Sequence, residues 1–146
     1  MDDLDLRRVI YRRLAETGAV PSFGEIAQLV GGSDEAVSSL GRLHDRHMIV
    51  LDDRNDPGEI AMALPFAARP TGHRVAGSDG SWWANCAWDA LAIPAALDID
   101  ARIEATWLDT EEPVGLSIEG GELSSTDGWV HFAVPARRWW DDIVET

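Results

Sequence analysis

Cys86 is the only cysteine among 146 residues, and Asp89 follows it by three positions in an otherwise apolar run from Ser81 to Pro94. That run, Ser81-Trp82-Trp83-Ala84-Asn85-Cys86-Ala87-Trp88-Asp89-Ala90-Leu91-Ala92-Ile93-Pro94, also holds three of the seven tryptophans. Positions i and i+3 share one face of an α-helix, so the spacing predicts that Cys86 and Asp89 point the same way. A thiolate is a nucleophile and a ligand for soft metals, and a carboxyl group can hold or deliver a proton. Side by side in a tryptophan-lined, water-poor setting, the two point to chemistry rather than packing. The plainer readings are a free cysteine used as a small buried hydrophobe and an aspartate serving as a helix cap or as a partner of Arg102.

Several elements must hold this pair in place. Ala90 to Leu97 continues the segment and is apolar nearly all round, which predicts a buried helix with Pro94 kinking it or marking a new start. His73-Arg74-Val75 is a short candidate strand, followed by a turn at residues 77–80. Ala101 to Trp107 alternates as a strand does, Val114 to Ile118 reads as another, and residues 119–122 as a turn. Trp129 to Val134 is expected to form a further strand ended by Pro135, and Arg137 to Val144 a short helix. The second half is thus α+β, a buried helix against a small, mostly antiparallel sheet.

Upstream, Leu6, Val9, Ile10 and Leu14 recur at helical spacing, predicting a helix from Leu4 to Thr17 that Gly18 and Pro21 end. Ser22-Phe23-Gly24-Glu25 has capping-box form ahead of Ile26, Leu29 and Val30. Ser33 is the expected cap of a third helix, with Val37, Leu40 and Leu43 facing inward. Met48 to Leu51 and Ile60 to Leu64 read as strands around a polar loop at residues 52–58. Three short helices and a hairpin make a winged-helix-like module. The prolines and glycine at 65–72 suggest a boundary, giving residues 1–66 as this module and 67–146 as the α+β domain.

The charge balance bears on partners. The net charge is −14, and all twelve basic residues are arginine. Nucleic-acid affinity rests largely on neutralising phosphates, and on the third helix Asp34, Glu35 and Asp45 match Arg42, Arg46 and His44, with Arg54 in the wing. DNA binding is therefore the weaker use of this module, and packing the better one. One cysteine excludes an internal disulfide and fits a reducing compartment. The acidic N-terminus lacks signal-peptide character, and no run approaches the roughly 20 apolar residues of a membrane span, so a cytoplasmic location without membrane attachment is expected.

Other residues carry weaker signals. His73 and His131 are possible additional metal ligands, but no close ligand spacing supports them. Trp82, Trp83, Trp88, Trp129, Trp139 and Trp140 are expected in the core or on a pocket wall that would suit a planar organic ligand. Asp127 and Asp141-Asp142 are expected on the surface.

The segment from Trp83 to Leu97 resembles the organomercurial (alkylmercury) lyase family, whose core has the form A-x-C-A-x-D-x-L-x-x-P-A-L. Pro70-Thr71-Gly72-His73 upstream, Ala101-Arg102-Ile103-Glu104, Pro113 to Ile118 and Val130 to Pro135 are similar to further family segments. The resemblance spans nearly the whole chain. It implies protonolytic cleavage of a carbon–mercury bond, with Cys86 as thiolate and Asp89 as proton shuttle and with both at the metal. It implies no obligatory cofactor, a bound mercury or other soft metal, an organometallic small-molecule ligand and cellular thiols as co-reductant. The register of the family's second cysteine falls at Thr146 or beyond, so a short or C-terminally truncated relative is expected. A second sulfur would then come from a cellular thiol or from a partner in a homodimer. Two other readings stand beside this one: a metal- or ligand-sensing module built on the Cys86 pocket without turnover, and a winged-helix transcription regulator.

Overall fold

The structure, a computed structural model, describes residues 1–52, 58–125, 127–141 and 143. Arg54, most of the loop expected at 52–58, Asp142, Val144 and Thr146 lie outside the described residues. Helix α1 (Asp3–Thr17) starts where the Asp2 carboxylate accepts the Asp5 amide at 2.8 Å and ends at Gly18, in the left-handed region at φ 70°. Its buried face is Leu6, Ile10 and Leu14. Helix α2 (Phe23–Val30) opens on the expected capping box, with Ser22 and Glu25 satisfying each other's backbone amides. Helix α3 (Ser33–Asp45) departs from expectation at its start. Gly32 occupies the cap position without a side-chain bond, and Ser33 is the first helical residue. Its inward stripe is Ala36, Ser39, Leu40 and Leu43, whereas Val37 is exposed. The stripe is centred one residue earlier than the apolar spacing suggested, because small Ala36 and Ser39 fill the closest approach.

Strands β1 (Val50–Leu51), β2 (Ile60–Ala63), β3 (Phe66–Ala67), β4 (His73–Gly77), β5 (Ser81–Ala84), β6 (Ala101–Thr106), β7 (Pro113–Glu119) and β8 (Glu122–Leu123) form one sheet. Its order is β1-β2-β3-β5-β4-β6-β7-β8, and every neighbouring pair is antiparallel. With the helices, this makes the chain α+β. Strands from both sides of residue 66 share the sheet, and one core runs from Leu6, Ile10 and Leu14 through Leu40 and Phe66 to Val75, Ile93 and Ile103.

The segment that carries the site begins on β5, a strand the sequence reading did not separate from the helix after it. β5 is flanked on both sides, with Phe66 opposite Ala84 and Val75 opposite Trp82. The two-residue alternation buries Trp82 and Ala84 on one face and turns Ser81 and Trp83 to the other. The Trp82 indole donates to the carbonyls of Leu14 and Ala15 at 2.9 and 3.1 Å. The Leu14 carbonyl also accepts the Gly18 amide of the helix cap at 2.8 Å, so the tryptophan adds a second bond there and reaches the next carbonyl of the last turn while anchoring β5.

Helix α4 (Ala87–Leu97) follows and packs on β4, β5 and β6. It is not buried all round as its composition suggested. Ala90, Ile93 and Pro94 are buried, while Trp88, Ala95 and Ala96 are exposed, because a single sheet covers only one side of the helix. Pro94 lies inside the helix, and Asp98 at φ 54° closes it.

The C-terminal part differs most from expectation. Residues 129–134 form no strand: the chain leaves the sheet after β8, which pairs with Ile118 and Glu119 at the end of β7, and strand-like composition pairs only where tertiary context brings it to an edge. The expected helix is a short 3-10 helix, Ala136–Asp141. The segment crosses back as a strap. Trp140 stacks on His47 with ring centroids 3.8 Å apart and planes 7° from parallel, and Trp140 and Ile143 pack on Val50, Ala61 and Met62. Trp129, expected in the core or a pocket wall, is 96% exposed.

Candidate functional site

Cys86 stands at the junction of β5 and α4. It is the N-cap residue of α4, with extended backbone (φ −150°, ψ 178°), and its carbonyl accepts the first helical bond from Ala90 N–H at 3.0 Å. Asp89 is the third helical residue. The pair therefore meets as cap and third residue, not as two interior positions on one helical face. The thiol and the carboxyl group are near enough to influence each other's ionisation, and both line the same cavity.

The electrostatics follow from burial first. Desolvation pushes the Cys86 thiol above its ordinary range. The backbone amides of Asp89 and Trp88 at the helix start favour the thiolate, although neither makes a full capping bond to the sulfur, and the Asp89 charge opposes it. Burial also raises the Asp89 carboxyl above the usual carboxylate range, and hydrogen bonds from Asn85 and from Cys86 pull it partway back. Both groups are thus biased toward their protonated forms. A thiol and a carboxyl group whose proton affinities are both raised can take up a soft cation and give up protons one at a time.

Asn85 is the residue that sequence reasoning missed. Its side-chain nitrogen donates to Asp89 Oδ2 at 3.2 Å and to the Pro65 carbonyl at 3.4 Å, linking the acid to the turn between β2 and β3. It precedes the helix cap, so helical spacing gave no signal for it. The suggested partner, Arg102, is not there: it lies on β6 opposite Ala76 and Ser117, and no ion pair joins it to Asp89 among the described residues.

A cavity of about 150 Å³ opens beside the pair. One wall is Met62 and Leu64 with Asn85 to Asp89 at the start of α4, and the other comes from the strap, with Val130 to Ala133, Trp139 and Ile143. The expected strand partner His131 is instead a cavity residue, whereas His73 pairs with Ala84 on β4, where burial lowers its pKa, and lies away from the cavity. No group of three or more histidine, cysteine or acidic side chains is arranged to hold a metal ion among the described residues. Of the tryptophans, Trp88 and Trp139 line the cavity and Trp82 is buried behind it.

The third helix offers little to a polyanion. Arg42 is held by Asp3 at 2.8 Å and Glu35 at 2.9 Å, and the His44 ring accepts the Leu51 amide. No helix is long and apolar enough to cross a membrane among the described residues.

Comparison with known proteins gives a family match and solved structures of similar fold. The family model for MerB, alkylmercury lyase, matches residues 66–146. The crystal structure of the mercury-bound form of MerB2 superposes with a TM-score of 0.65 at 23% identity, covering 86% of this chain and 59% of that one. The present chain therefore corresponds to 59% of that protein's length, and the likeness is one of fold. No curated protein matches.

Proposed function

Because the chain belongs to the alkylmercury lyase family, we propose that it cleaves carbon–mercury bonds by protonolysis, with Cys86 binding mercury and Asp89 delivering the proton. The observation that carries this reading is the thiol facing a buried carboxyl group at the edge of an apolar cavity, both biased toward protonation.

The steps balance without any change of oxidation state. The Cys86 thiol displaces the labile ligand of an organomercury cation, so a sulfur–mercury bond forms and the thiol proton leaves with that ligand. Asp89 then transfers its proton to the mercury-bound carbon. The electron pair of the carbon–mercury bond becomes the new carbon–hydrogen bond, and the carboxylate takes the vacated position on mercury. Two molecules of an external thiol remove the Hg²⁺ as its dithiolate and return one proton each to Cys86 and Asp89. Asn85 orients the acid throughout through its bond to Oδ2. Burial raises the proton affinity of the acid, which suits it to deliver a proton to carbon.

Headspace detection of benzene and methane from phenyl- and methylmercury, with excess small thiol, tests this. Wild-type protein is expected to release hydrocarbon, and Cys86→Ala to lose both mercurial binding and release. Asp89→Asn is expected to keep the adduct and slow release by about 10²–10⁴-fold, the usual contribution of a positioned acid. Release by wild type no faster than by Cys86→Ala would defeat the reading.

A further inference from the structure

Two polar attachments join α1 to the part of the sheet that carries the site. One is the Trp82 indole on the Leu14 and Ala15 carbonyls. The other is Tyr11, the only tyrosine in the chain, whose hydroxyl stands 3.2 Å from the Met48 carbonyl and 3.1 Å from the Leu64 carbonyl. A hydroxyl has a single hydrogen to donate, so the two carbonyls share it. Arg7, one turn earlier, lies over the Tyr11 ring with its guanidinium carbon 4.6 Å from the centroid and helps to fix the ring. Burial pushes the phenol above its ordinary range, which keeps it neutral and therefore a donor. The Leu64 carbonyl shares a planar peptide group with the Pro65 nitrogen, and the pyrrolidine ring locks the φ that follows. One soft torsion, the ψ of Pro65, thus separates the carbonyl that Tyr11 holds from the carbonyl of Pro65. Beyond it Phe66 is paired with Ala63 on one side and Ala84 on the other, so the turn is held at both ends.

We infer that Tyr11 is a positioning residue for the acid: it holds the Leu64–Pro65 peptide from the N-terminal helix, the Pro65 carbonyl aims the Asn85 amide, and that amide orients Asp89. The last two links are the bonds from the Asn85 nitrogen to the Pro65 carbonyl at 3.4 Å and to Asp89 Oδ2 at 3.2 Å. A carboxamide nitrogen carries two hydrogens, so each acceptor takes one, and the two directions together set the amide plane. The inference rests on the reading that Asp89 delivers the proton, and it gives the helical module a task at the site besides packing. Because the bond to Pro65 is long, losing Tyr11 loosens the acid less than losing Asn85 does.

The test pairs Tyr11→Phe, which removes one oxygen, with Asn85→Leu, singly and together. The sequence holds three side-chain carboxamides, Gln28, Asn55 and Asn85, so the Asn85 signals in a nitrogen-15 spectrum are identified by their loss in Asn85→Leu. A hydrogen bond of ordinary net strength corresponds to about two- to tenfold protection, and Tyr11→Phe is expected to speed exchange of the Asn85 carboxamide hydrogens with water by about that factor. It is also expected to slow hydrocarbon release from a preformed Cys86 adduct by about two- to tenfold, to leave adduct formation unchanged, and to slow release no further in Asn85→Leu. Unchanged carboxamide exchange, or equal slowing of release with and without Asn85, overturns the inference, because a tyrosine that only supports the fold acts equally in both backgrounds. If the phenylalanine chain does not fold, the relay is read in reverse. With 3-fluorotyrosine in place of the single tyrosine, Asn85→Leu is expected to move the fluorine resonance, and an unmoved resonance overturns the inference. Failure of the protonolysis reading looks different: wild type then releases no hydrocarbon, while the carboxamide exchange still decides the role of Tyr11.

Discussion

Replacing Asn85 with leucine isolates the control of Asp89 from the rest of the site. Leucine branches at Cγ as asparagine does and is the bulkier of the two, so Asn85→Leu removes the donor at 3.2 Å from Asp89 Oδ2 without opening a channel for water. Hydrogen bonds to charged groups contribute about 1.5–3 kcal/mol, and this one is long and only partly buried, so about 1 kcal/mol is the appropriate value. The bond favours the carboxylate, so its loss favours the neutral acid. The added apolar side chain desolvates the carboxyl further and acts in the same direction. About 1 kcal/mol corresponds to roughly a fivefold fall in the acid dissociation constant of Asp89. The stability consequence has a definite sign. Asp89 binds its proton more tightly folded than unfolded, so its contribution is largest below the ordinary carboxylate pKa and declines as pH rises through the raised folded value. In Asn85→Leu the decline extends to higher pH and ends about 1 kcal/mol lower. Carbon-13 NMR of labelled aspartate reads the titration, with Asp89→Asn identifying the resonance, and urea unfolding across pH reads the linked stability. A titration midpoint at or below that of wild type refutes the argument.

Gly18→Ala places a Cβ 2.4 Å from the Ser81 carbonyl oxygen on a residue at φ 70°. The left-handed backbone alone costs about 1–2 kcal/mol and the clash with an immobile strand adds to it, so urea unfolding should show a loss of about 3 kcal/mol or more. A loss below about 1 kcal/mol contradicts close docking of α1 on β5. His47→Asn keeps a residue that tolerates the positive φ of 57° while removing the stack on Trp140. About 0.5–1.5 kcal/mol of strap docking should be lost, with faster amide exchange confined to residues 128–141, and unchanged exchange there rules out the latch. Because the Cys86 thiol is held neutral at ordinary pH, phenylmercury binding should release one proton from it. Calorimetry in buffers of different ionisation enthalpy measures this, and binding without proton release means that the thiolate already predominates.

The α+β class was legible because its signals are local. The capping box at Ser22 and Glu25, the stop at Gly18 and the alternation from Ala101 to Thr106 each depend on a few adjacent residues. The C-terminal strap was not. Val130 to Val134 has the composition of a strand, but whether such a segment pairs is decided by where tertiary packing carries it, not by its own residues. The exposure of α4 was hidden for a related reason: an apolar helix reads the same whether a sheet covers one side or two. At the site, the sequence placed Cys86 and Asp89 together correctly but set both within the helix, whereas β5 delivers Cys86 to its cap. Asn85 escaped notice because an asparagine beside a cysteine carries no periodic signal. The aromatic wall escaped because Trp88, Phe132 and Trp139 meet only through tertiary packing.

The site is held unevenly, and the unevenness divides its tasks. Asn85 and Cys86 directly follow β5, a strand hydrogen-bonded on both sides and pinned to α1 by Trp82, and Asp89 lies in the first turn of a helix packed on three strands. The proton transfer and mercury binding proposed above depend on fixed distances, which such a frame supports. The facing wall is a strap without strand pairing, fastened at the His47–Trp140 stack and on Val50, Ala61 and Met62. A wall fastened at few points can shift to accept rings of different substitution while the proton donor stays in place. Substitutions on the strap should therefore alter which carbon group is accepted, and substitutions on β5 and α4 should alter whether any carbon group is protonated. A strap variant that abolishes protonolysis of phenyl- and methylmercury equally, with its fold intact, would show that this division is wrong.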